Sequence, residues 1–511
     1  MPKELRKRSR MRTKFLVLLP VAPLGLVCVL GVASGGSAAT PTAISWGKAV
    51  EVPGLASMNI GGNANVLSVS CAAVGDCAAG GYYADGSFNS GDSQAFVVSE
   101  TSGGWREAVE VAGTLNIGDN ARVSSVSCAA AGECAAGGYY TGSNDSYHAF
   151  VVSETSGRWG AAIEVPGTTP WARVNSISCV TVGACVAGGE SGGEAFVLSE
   201  TGGVWGNAVV VPGTAALNTG GNAAVDTISC SAAGGCAAGG YYHDGSNYER
   251  AFVVSEKTGL WGTRGVWGKA VVVRATKVNS VSCGASGNCV AGGYAGGGNS
   301  EAIVVSETNG YWGEAVRVAR TLNTGHHAQV NAVSCSEAGA CAAGGSYSRA
   351  THQGFVVSEK KGKWGNVVRV PGAATLNSGR NAFVHSISCW RAGNCAAGGQ
   401  YGAGADHSHV FVVSETNGSW GKAVAVPGIA ALSVGGSAGL NSISCSAARY
   451  CAAGGYYGDN RGHLQAFVVN TKRHLVMRRP ERGRKDARRG QVDAQGGPST
   501  ASARSRRSAR G

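Results

Sequence analysis

The chain has 511 residues, among them 82 Gly, 12 Pro and 17 Cys, and only 14% of its residues are charged. Glycine this dense argues against long helices, since each costs about 1 kcal/mol against alanine inside one, while an ordinary 44% hydrophobic content excludes global disorder. The net charge of +12 does not mark a nucleic-acid protein: residues 1–40 carry +6 and residues 471–511 carry +10, so the 430 residues between hold 23 basic and 27 acidic side chains, without the basic stripe expected on the folded part of such a protein.

The first element is a leader. Lys3, Arg6, Lys7, Arg8, Arg10, Arg12 and Lys14 precede an apolar stretch from Phe15 to Val32 and then the small residues SGGSAAT. That is the order of a secretory signal with cleavage near Ala39, so residues 1–39 are expected to be removed on export. An uncleaved anchor is the rival reading, but Pro20, Pro23 and Gly25 make the stretch short and broken for a spanning helix. Only an uncleaved leader would tie the protein to a membrane.

After the leader one pattern recurs, Cys-x5-Cys, in the pairs Cys71/Cys77, Cys128/Cys134, Cys179/Cys185, Cys230/Cys236, Cys283/Cys289, Cys335/Cys341, Cys389/Cys395 and Cys445/Cys451. Successive first cysteines are 57, 51, 51, 53, 52, 54 and 56 residues apart, and the seventeenth cysteine, Cys28, lies in the leader. Within each repeat the elements follow one order. From Trp205 they read WGNAVVVPG, TAALNTGGNA, AVDTISC, SAAGG, CAAGGYY, HDGSNYER and AFVVSE. Four of these pieces are short β-branched or small-residue runs between turn residues, which are strand signals. About 53 residues and four strands per repeat match one blade of a β-propeller.

The phase of the repeats predicts how the ring closes. The first element after the leader, WGKAVEVPG (Trp46 to Gly54), is the strand that elsewhere ends a repeat, and the last repeat stops at AFVVN (Ala466 to Asn470) without it. The N-terminal strand therefore completes the final blade. The expected fold is all-β, an eight-bladed propeller over residues 40–470, with a basic tail over 471–511 that lacks any hydrophobic period and reads as disordered. Seven blades and an appendage are the competing count.

In an exported chain eight fixed cysteine pairs read as structural disulfides across hairpins, with Cα separations of roughly 4.4–6.8 Å. Zinc would need four ligands, and no His or second pair recurs at fixed distance within a repeat.

The segment SETSGRW (Ser153 to Trp159) returns as SETSGGW at 99, SETGGVW at 199, SETNGYW at 306 and SETNGSW at 414. It resembles a degenerate Asp-box turn of sialidase-like propellers, with Thr155 where the Asp would stand and Trp159 one residue early. The whole repeat is similar to repeats of secreted actinobacterial proteins of unknown activity. The resemblance implies the propeller fold and no substrate. Glu100, Glu154, Glu200, Glu307 and Glu415 of this segment are tempting carboxylates, but a catalytic group is not needed in every blade, and a Glu bracing a hairpin is the preferred reading.

Propeller loops sort onto two faces. The Cys-x5-Cys and SETxGxW turns fall on one, and the LNxGG connections with the loops after AGGYY fall on the other. The second set is variable and polar, as binding loops on a rigid scaffold are. Candidate ligand-binding residues there are Tyr82, Tyr83, Asp85, Tyr139, Tyr140, Tyr241, Tyr242, Asp244, Tyr456 and Tyr457, with only one tyrosine of each adjacent pair able to reach a given pocket. Packing between blades is the preferred reading of these tyrosines. Asp85, Asp145, Asp244, Asp406 and Asp459 raise calcium as an ion for these loops, but their spacing varies and turn chemistry accounts for them equally; no cofactor is expected.

The function expected from the sequence is an exported, monomeric, non-catalytic binding or scaffold propeller with an extracellular glycan or protein partner, recognised multivalently. The alternative is a glycoside-acting, sialidase-like hydrolase on the same face. An enzyme would break the repeat with one unique acid cluster near the axis, and no such cluster is visible in the sequence.

Overall fold

The structure is a computed structural model that describes residues 44–86, 92–231, 235–257, 266–377, 381–402, 407–447 and 449–472. The leader, the tail from residue 473 and Asp406 lie outside them. It is an eight-bladed β-propeller. Blade 1 shows the plan: first strand Asn65–Ala73, second Asp76–Tyr83, third Gln94–Thr101, and a fourth in two pieces, Gly104–Trp105 and Val109–Glu110, both paired with the third. The Trp-Gly end and the Val-Glu end of the repeat's last element thus form one interrupted edge strand. Four single helical turns, Leu55–Met58, Thr214–Leu217, Ala373–Leu376 and Ile429–Leu432, sit in the connections between blades.

The ring closes as the phase of the repeats requires. Val50–Glu51 pairs antiparallel with Leu464–Asn470, Val50 opposite Val468 and Glu51 opposite Phe467. Trp46 bridges Thr471, and Lys472 N–H donates to the Ser45 carbonyl at 2.8 Å. The ring therefore uses two residues beyond the expected boundary at 470.

The core lies between neighbouring blades, in eight apolar clusters that each draw on two adjacent sheets. Phe96, Phe150, Phe196, Phe252, Phe355, Phe411 and Phe467 are fully buried at the same place in seven blades, and Ile303 takes that place in blade 5. First strands of adjacent blades lie against one another and so surround the axis. Their exposed edge N–H groups need acceptors, and the Ser-x-Ser-Cys run supplies them from the preceding blade. Ser68 and Ser70 accept from Val126 and Cys128 N–H, both at 3.0 Å, and Ser442 and Ser444 accept from Val69 and Cys71 across the closing junction. Ala332 interrupts this belt, since it carries no hydroxyl.

The Gly-Gly of AAGG has a backbone cause. The first strand is bulged between Val66 and Ser68 and at the equivalent place in every blade. The bulge pushes a carbonyl onto the second glycine: a Cβ at Gly81 would stand 1.8 Å from the Asn65 oxygen, and the seven equivalents lie at 1.8–2.0 Å. A Cβ on the first glycine would instead meet a Val or Leu side chain of the next blade.

All eight cysteine pairs are disulfides: Cys71–Cys77, Cys128–Cys134, Cys179–Cys185, Cys230–Cys236, Cys283–Cys289, Cys335–Cys341, Cys389–Cys395 and Cys445–Cys451. One feature corrects the expectation for them. Their Cα separations of 3.9–4.0 Å fall below the expected range. The two cysteines stand directly opposite on adjacent strands, Cys71 against Cys77, where the Cys71 N–H turns to the neighbouring blade's serine; such non-hydrogen-bonded antiparallel pairs are the close ones.

Their place in the fold is a further finding. Spacing presents these residues only as cross-links of a hairpin, yet the second cysteine of every pair is a core residue. Cys77, Cys134, Cys185, Cys236, Cys289, Cys341, Cys395 and Cys451 are all buried, one in each of the eight apolar clusters between blades. The second strand is flanked by the first and third, and alternation along it turns this cysteine, with the alanine two residues on, toward the preceding blade. Cys134 and Ala136 thus pack with Ala95 and Val97 of blade 1.

Candidate functional site

The two faces separate as expected. Gly103 N–H donates to the Gly75 carbonyl, tying the SETxGxW turn to the Cys-x5-Cys turn, and Gly157 does the same with Gly132. On the other face Gly61 of the MNIGG connection donates to Ala84 beyond Tyr83.

On the cysteine face the repeated Ser, Glu and Trp join blade to blade. Trp159 Nε1 donates to Ser99 Oγ at 2.9 Å, which donates to Glu154 Oε1 at 2.6 Å. The same relay runs Trp205–Ser153–Glu200, Trp312–Ser255–Glu307 and Trp420–Ser358–Glu415. At the closing junction Asn470 replaces the serine and, with the Tyr450 hydroxyl, donates to Glu100. The expected hairpin brace is thus corrected: each glutamate reaches across to the preceding blade, because its alternating side-chain direction puts it on the inter-blade face of the sheet. Clefts of about 420 and 290 Å³ open between blades 1 and 2 and between blades 2 and 3, with these buried glutamates in their walls.

Burial pushes the carboxyls of Glu154, Glu200, Glu307 and Glu415 above the usual range, and the serine hydroxyl pulls each part of the way back. Glu307 and Glu415 each keep one buried oxygen, Oε2, without a hydrogen bond. Between the ordinary and the raised value the folded chain holds more protons than the unfolded one. This stabilisation is therefore complete below the ordinary value and is lost as pH rises through the raised one. Glu415→Gln, which cannot ionise, is expected to melt above the wild type at pH 7.5, with the gap closing toward pH 4. A gap that stays constant across that range would show that burial does not shift this carboxyl, and an inverted one that the charge is stabilised here.

On the loop face the repeated groups are occupied within the fold. Asn59, Asn116 and Asn218 of the LNxGG segments are buried, and each caps its own turn and donates to a carbonyl beside the third strand of the preceding blade. The second tyrosine of each pair is buried: Tyr83, Tyr140 and Tyr457 donate to Glu110, Glu164 and Glu51 at 2.7, 2.9 and 3.0 Å, and Tyr242 packs in the cluster between blades 3 and 4. Asp244 accepts from the Ser246 and Tyr248 amides and from Arg250, and Asp459 from the Arg461 and His463 amides, so both close turns. Asp85 is exposed and accepts from Gln94 at 3.0 Å. Among the described residues no three His, Cys, Asp or Glu converge as a metal site.

The first tyrosines Tyr82, Tyr139, Tyr241 and Tyr456 occupy a different place, although Tyr139 is buried there as well. Each belongs to the rung where the innermost strand begins, at the channel mouth. Here the eight blades carry eight different pairs: Asn65/Tyr82, Arg122/Tyr139, Arg173/Glu190, Ala224/Tyr241, Lys277/Tyr294, Gln329/Ser346, Phe383/Gln400 and Gly439/Tyr456. A ring that repeats almost everywhere is irregular at this level. Tyr456 fills the space over Gly439, while the other three tyrosines meet charge.

Two sectors result. In the first, the Arg122 guanidinium carbon lies 5.5 Å from the Tyr82 ring centre and 4.9 Å from that of Tyr139. Tyr139 meets Tyr147 edge-on at 4.8 Å, and Tyr147 meets Trp171 edge-on at 5.6 Å. Trp171 is 59% exposed and holds a left-handed backbone, φ 68°. Its N–H donates to the Tyr147 carbonyl at 2.7 Å. It sits in the short TTPW connection that blade 3 has in place of LNxGG.

In the second sector Arg173 pairs with Glu190, and Lys277 Nζ lies 3.1 Å from Asp226 Oδ2, 4.0 Å from Glu249 Oε1 and 4.4 Å from the Tyr241 ring centre. Tyr294 donates to Glu249 at 3.4 Å. Asp226 stands at the bulge, where Asn175, Asn279, Asn331 and Asn441 each donate to a valine carbonyl of the next blade. Burial, opposed by Lys277, pushes its carboxyl up to about 6. Burial and the nearby Glu190 and Asp226 push the Tyr241 hydroxyl to about 12.

Glu190, Asp226 and Glu249 thus form the blade-specific acid cluster that the sequence reading did not see. Glu190 comes from blade 3 and Asp226 and Glu249 from blade 4, so the cluster forms only where these two blades meet in the ring. Trp171, Arg122, Arg173, Tyr147, Lys277 and Tyr294 were missed as well. For Arg122, Trp171, Arg173, Asp226 and Lys277 the available signal was the stretch four to nine residues before the first cysteine, which varies between otherwise regular copies; Tyr147, Glu190, Glu249 and Tyr294 lie after that cysteine, outside this stretch.

No protein-family model matches the chain, and no curated protein matches it in sequence. Solved structures of similar fold include an ulvan lyase of polysaccharide lyase family PL25, at 11% identity and TM-score 0.40 over 85% of this chain and 97% of that one. A Trypanosoma rangeli sialidase in complex with sialic acid matches at 9% identity and TM-score 0.39, over 80% of this chain and 54% of that one. A Dyadobacter fermentans protein of unknown function matches at 9% and 0.35, over 60% and 97%. At such identities and scores the likeness carries no reaction, substrate or site to this chain.

Proposed function

We propose that the protein is an exported, monomeric recognition propeller that holds a saccharide chain across the channel mouth. The observation that carries this reading is Trp171. A large indole left 59% exposed in a left-handed backbone is costly for a non-glycine residue, and such cost concentrates at functional sites. Its ring, edge-on to Tyr147, offers the flat amphipathic surface on which a sugar face packs. The repeated asparagines and second tyrosines of this face are engaged in the fold, which supports one mouth site over eight equivalent pockets. Eight disulfides and a leader of secretory order support an extracellular setting, and no helix among the described residues is long and apolar enough to cross a membrane.

Trp171→Ala is expected to weaken binding to soluble cell-wall polysaccharides by about 30-fold, the loss of roughly 2 kcal/mol typical of an aromatic anchor, while Tyr456→Ala leaves it within about twofold. Titration calorimetry decides. Equal affinities for wild type and Trp171→Ala would sink this reading. A second reading, hydrolysis of a glycosidic bond, draws on the Asp226 carboxyl, held near neutrality beside two further carboxylates. Release of reducing ends that disappears in Asp226→Asn would establish it instead.

A further inference from the structure

Of the three cations at the mouth, two are matched: Arg173 by Glu190, and Lys277 by Asp226 and Glu249. Arg122 has no carboxylate partner among the described residues. Its Nε is buried and makes no hydrogen bond. The guanidinium is instead held by two tyrosine rings of adjacent blades, which fixes its position without neutralising it. A planar fork of N–H groups held in this way matches a two-oxygen anion.

The fork shares Tyr139 with the aromatic platform, two ring-to-ring steps of 4.8 and 5.6 Å from Trp171. That is the scale of one or two sugar residues.

We infer that the mouth selects an acidic saccharide, with Arg122 receiving a carboxylate or sulfate carried on the residue next to the one stacked on Trp171. This rests on the saccharide reading above. It also gives the short TTPW connection of blade 3 a purpose: a full LNxGG segment there would build over the approach to Tyr147. The acid sector supplies the opposite end. Glu190 is balanced by Arg173, while Asp226 and Glu249 share one lysine, so a bound chain is oriented with its anionic group toward blades 1 and 2.

The test uses the full chain with four polymers: polygalacturonate, its carboxyl-reduced neutral counterpart, dextran sulfate and neutral dextran. The wild type is expected to bind one acidic polymer at least about tenfold tighter than its neutral counterpart, with affinity falling as salt rises. Arg122→Gln is expected to abolish that preference, and Arg122→Lys to keep part of it, since the charge remains without the fork. Trp171→Ala is expected to weaken acidic and neutral polymers alike. The galacturonate pair reports a carboxylate and the dextran pair a sulfate. A wild type that binds acidic and neutral polymers equally overturns the anion inference and leaves the saccharide reading standing. A wild type that binds none of the four overturns both. An unchanged preference in Arg122→Gln overturns the assignment of the anion to this arginine, and a lowered melting temperature in the same variant would leave it a packing role only.

Discussion

Deleting Trp46–Val52 from the full chain is expected to lower the melting temperature by about 5 °C or more and to produce aggregates. The segment buries Trp46, Ala49 and Val52, worth roughly 5 kcal/mol at the usual value per buried apolar side chain. Unfolding entropy of about 2.1 cal/mol/K per residue over a ring of this size makes that about 1 °C per kcal/mol. The larger consequence is topological. Without Val50–Glu51 the strand Leu464–Asn470 becomes a free edge with unpaired N–H and C=O groups, a template for pairing with other chains. A synthetic peptide of residues 43–54 added in trans is expected to restore the melting temperature and suppress light scattering. An unchanged melt after the deletion would mean that the ring is held without its closing strand.

Gly81→Ala is expected to cost about 3–5 kcal/mol, near the upper end of single substitutions, because the new Cβ would lie 1.8 Å from the Asn65 carbonyl oxygen. That atom is backbone, fixed by the bulge of the innermost strand, so relief requires breaking the ladder between first and second strands. Gly80→Ala meets Val123 and Val126 side-chain methyls at 2.6 and 2.9 Å, which shift more easily, and a cost of about 1–3 kcal/mol is expected. Gly104→Ala has nothing nearer than 3.9 Å and is the control, within about 0.5 kcal/mol. Denaturant unfolding with the disulfides intact ranks the three. Gly81→Ala no worse than Gly80→Ala would refute the backbone cause of the AAGG motif.

Much of the fold was legible because each repeat carries the same local instructions. The Cys-x5-Cys spacing set the first hairpin, the AGG run the second strand, and the displaced WGKAVEVPG element the closure. What was read less well involved partners a whole repeat away. Glu154 looked like a brace for its own hairpin, yet its partner is Ser99, 55 residues earlier. The short Cα separation of the disulfides followed from direct cross-strand opposition, which spacing alone leaves open. The burial of Cys134 depends likewise on the blade it packs against, which its own repeat does not contain. Of the tyrosine pairs, alternation along a strand foretold that their members part company. It did not say that Tyr83 would end on Glu110 while Tyr82 would end beside Arg122.

The candidate site stands at the far end of this scale. Arg122, Tyr147, Trp171, Arg173, Glu190, Asp226, Glu249 and Lys277 are spread over some 150 residues and belong to four repeats, and each by itself is an ordinary polar or aromatic residue in a variable column. The eight-blade reading, the closing strand, the disulfides and the sorting of loops were all legible from local periodic signals and their phase. Which column faces the axis depended on the closed ring. Closing eight sheets into a ring places one rung from every blade around a single mouth, where side chains remote along the chain come within ångströms of each other. There the departures from the repeat, half-buried or exposed around one opening, together acquire the charge and shape of a site.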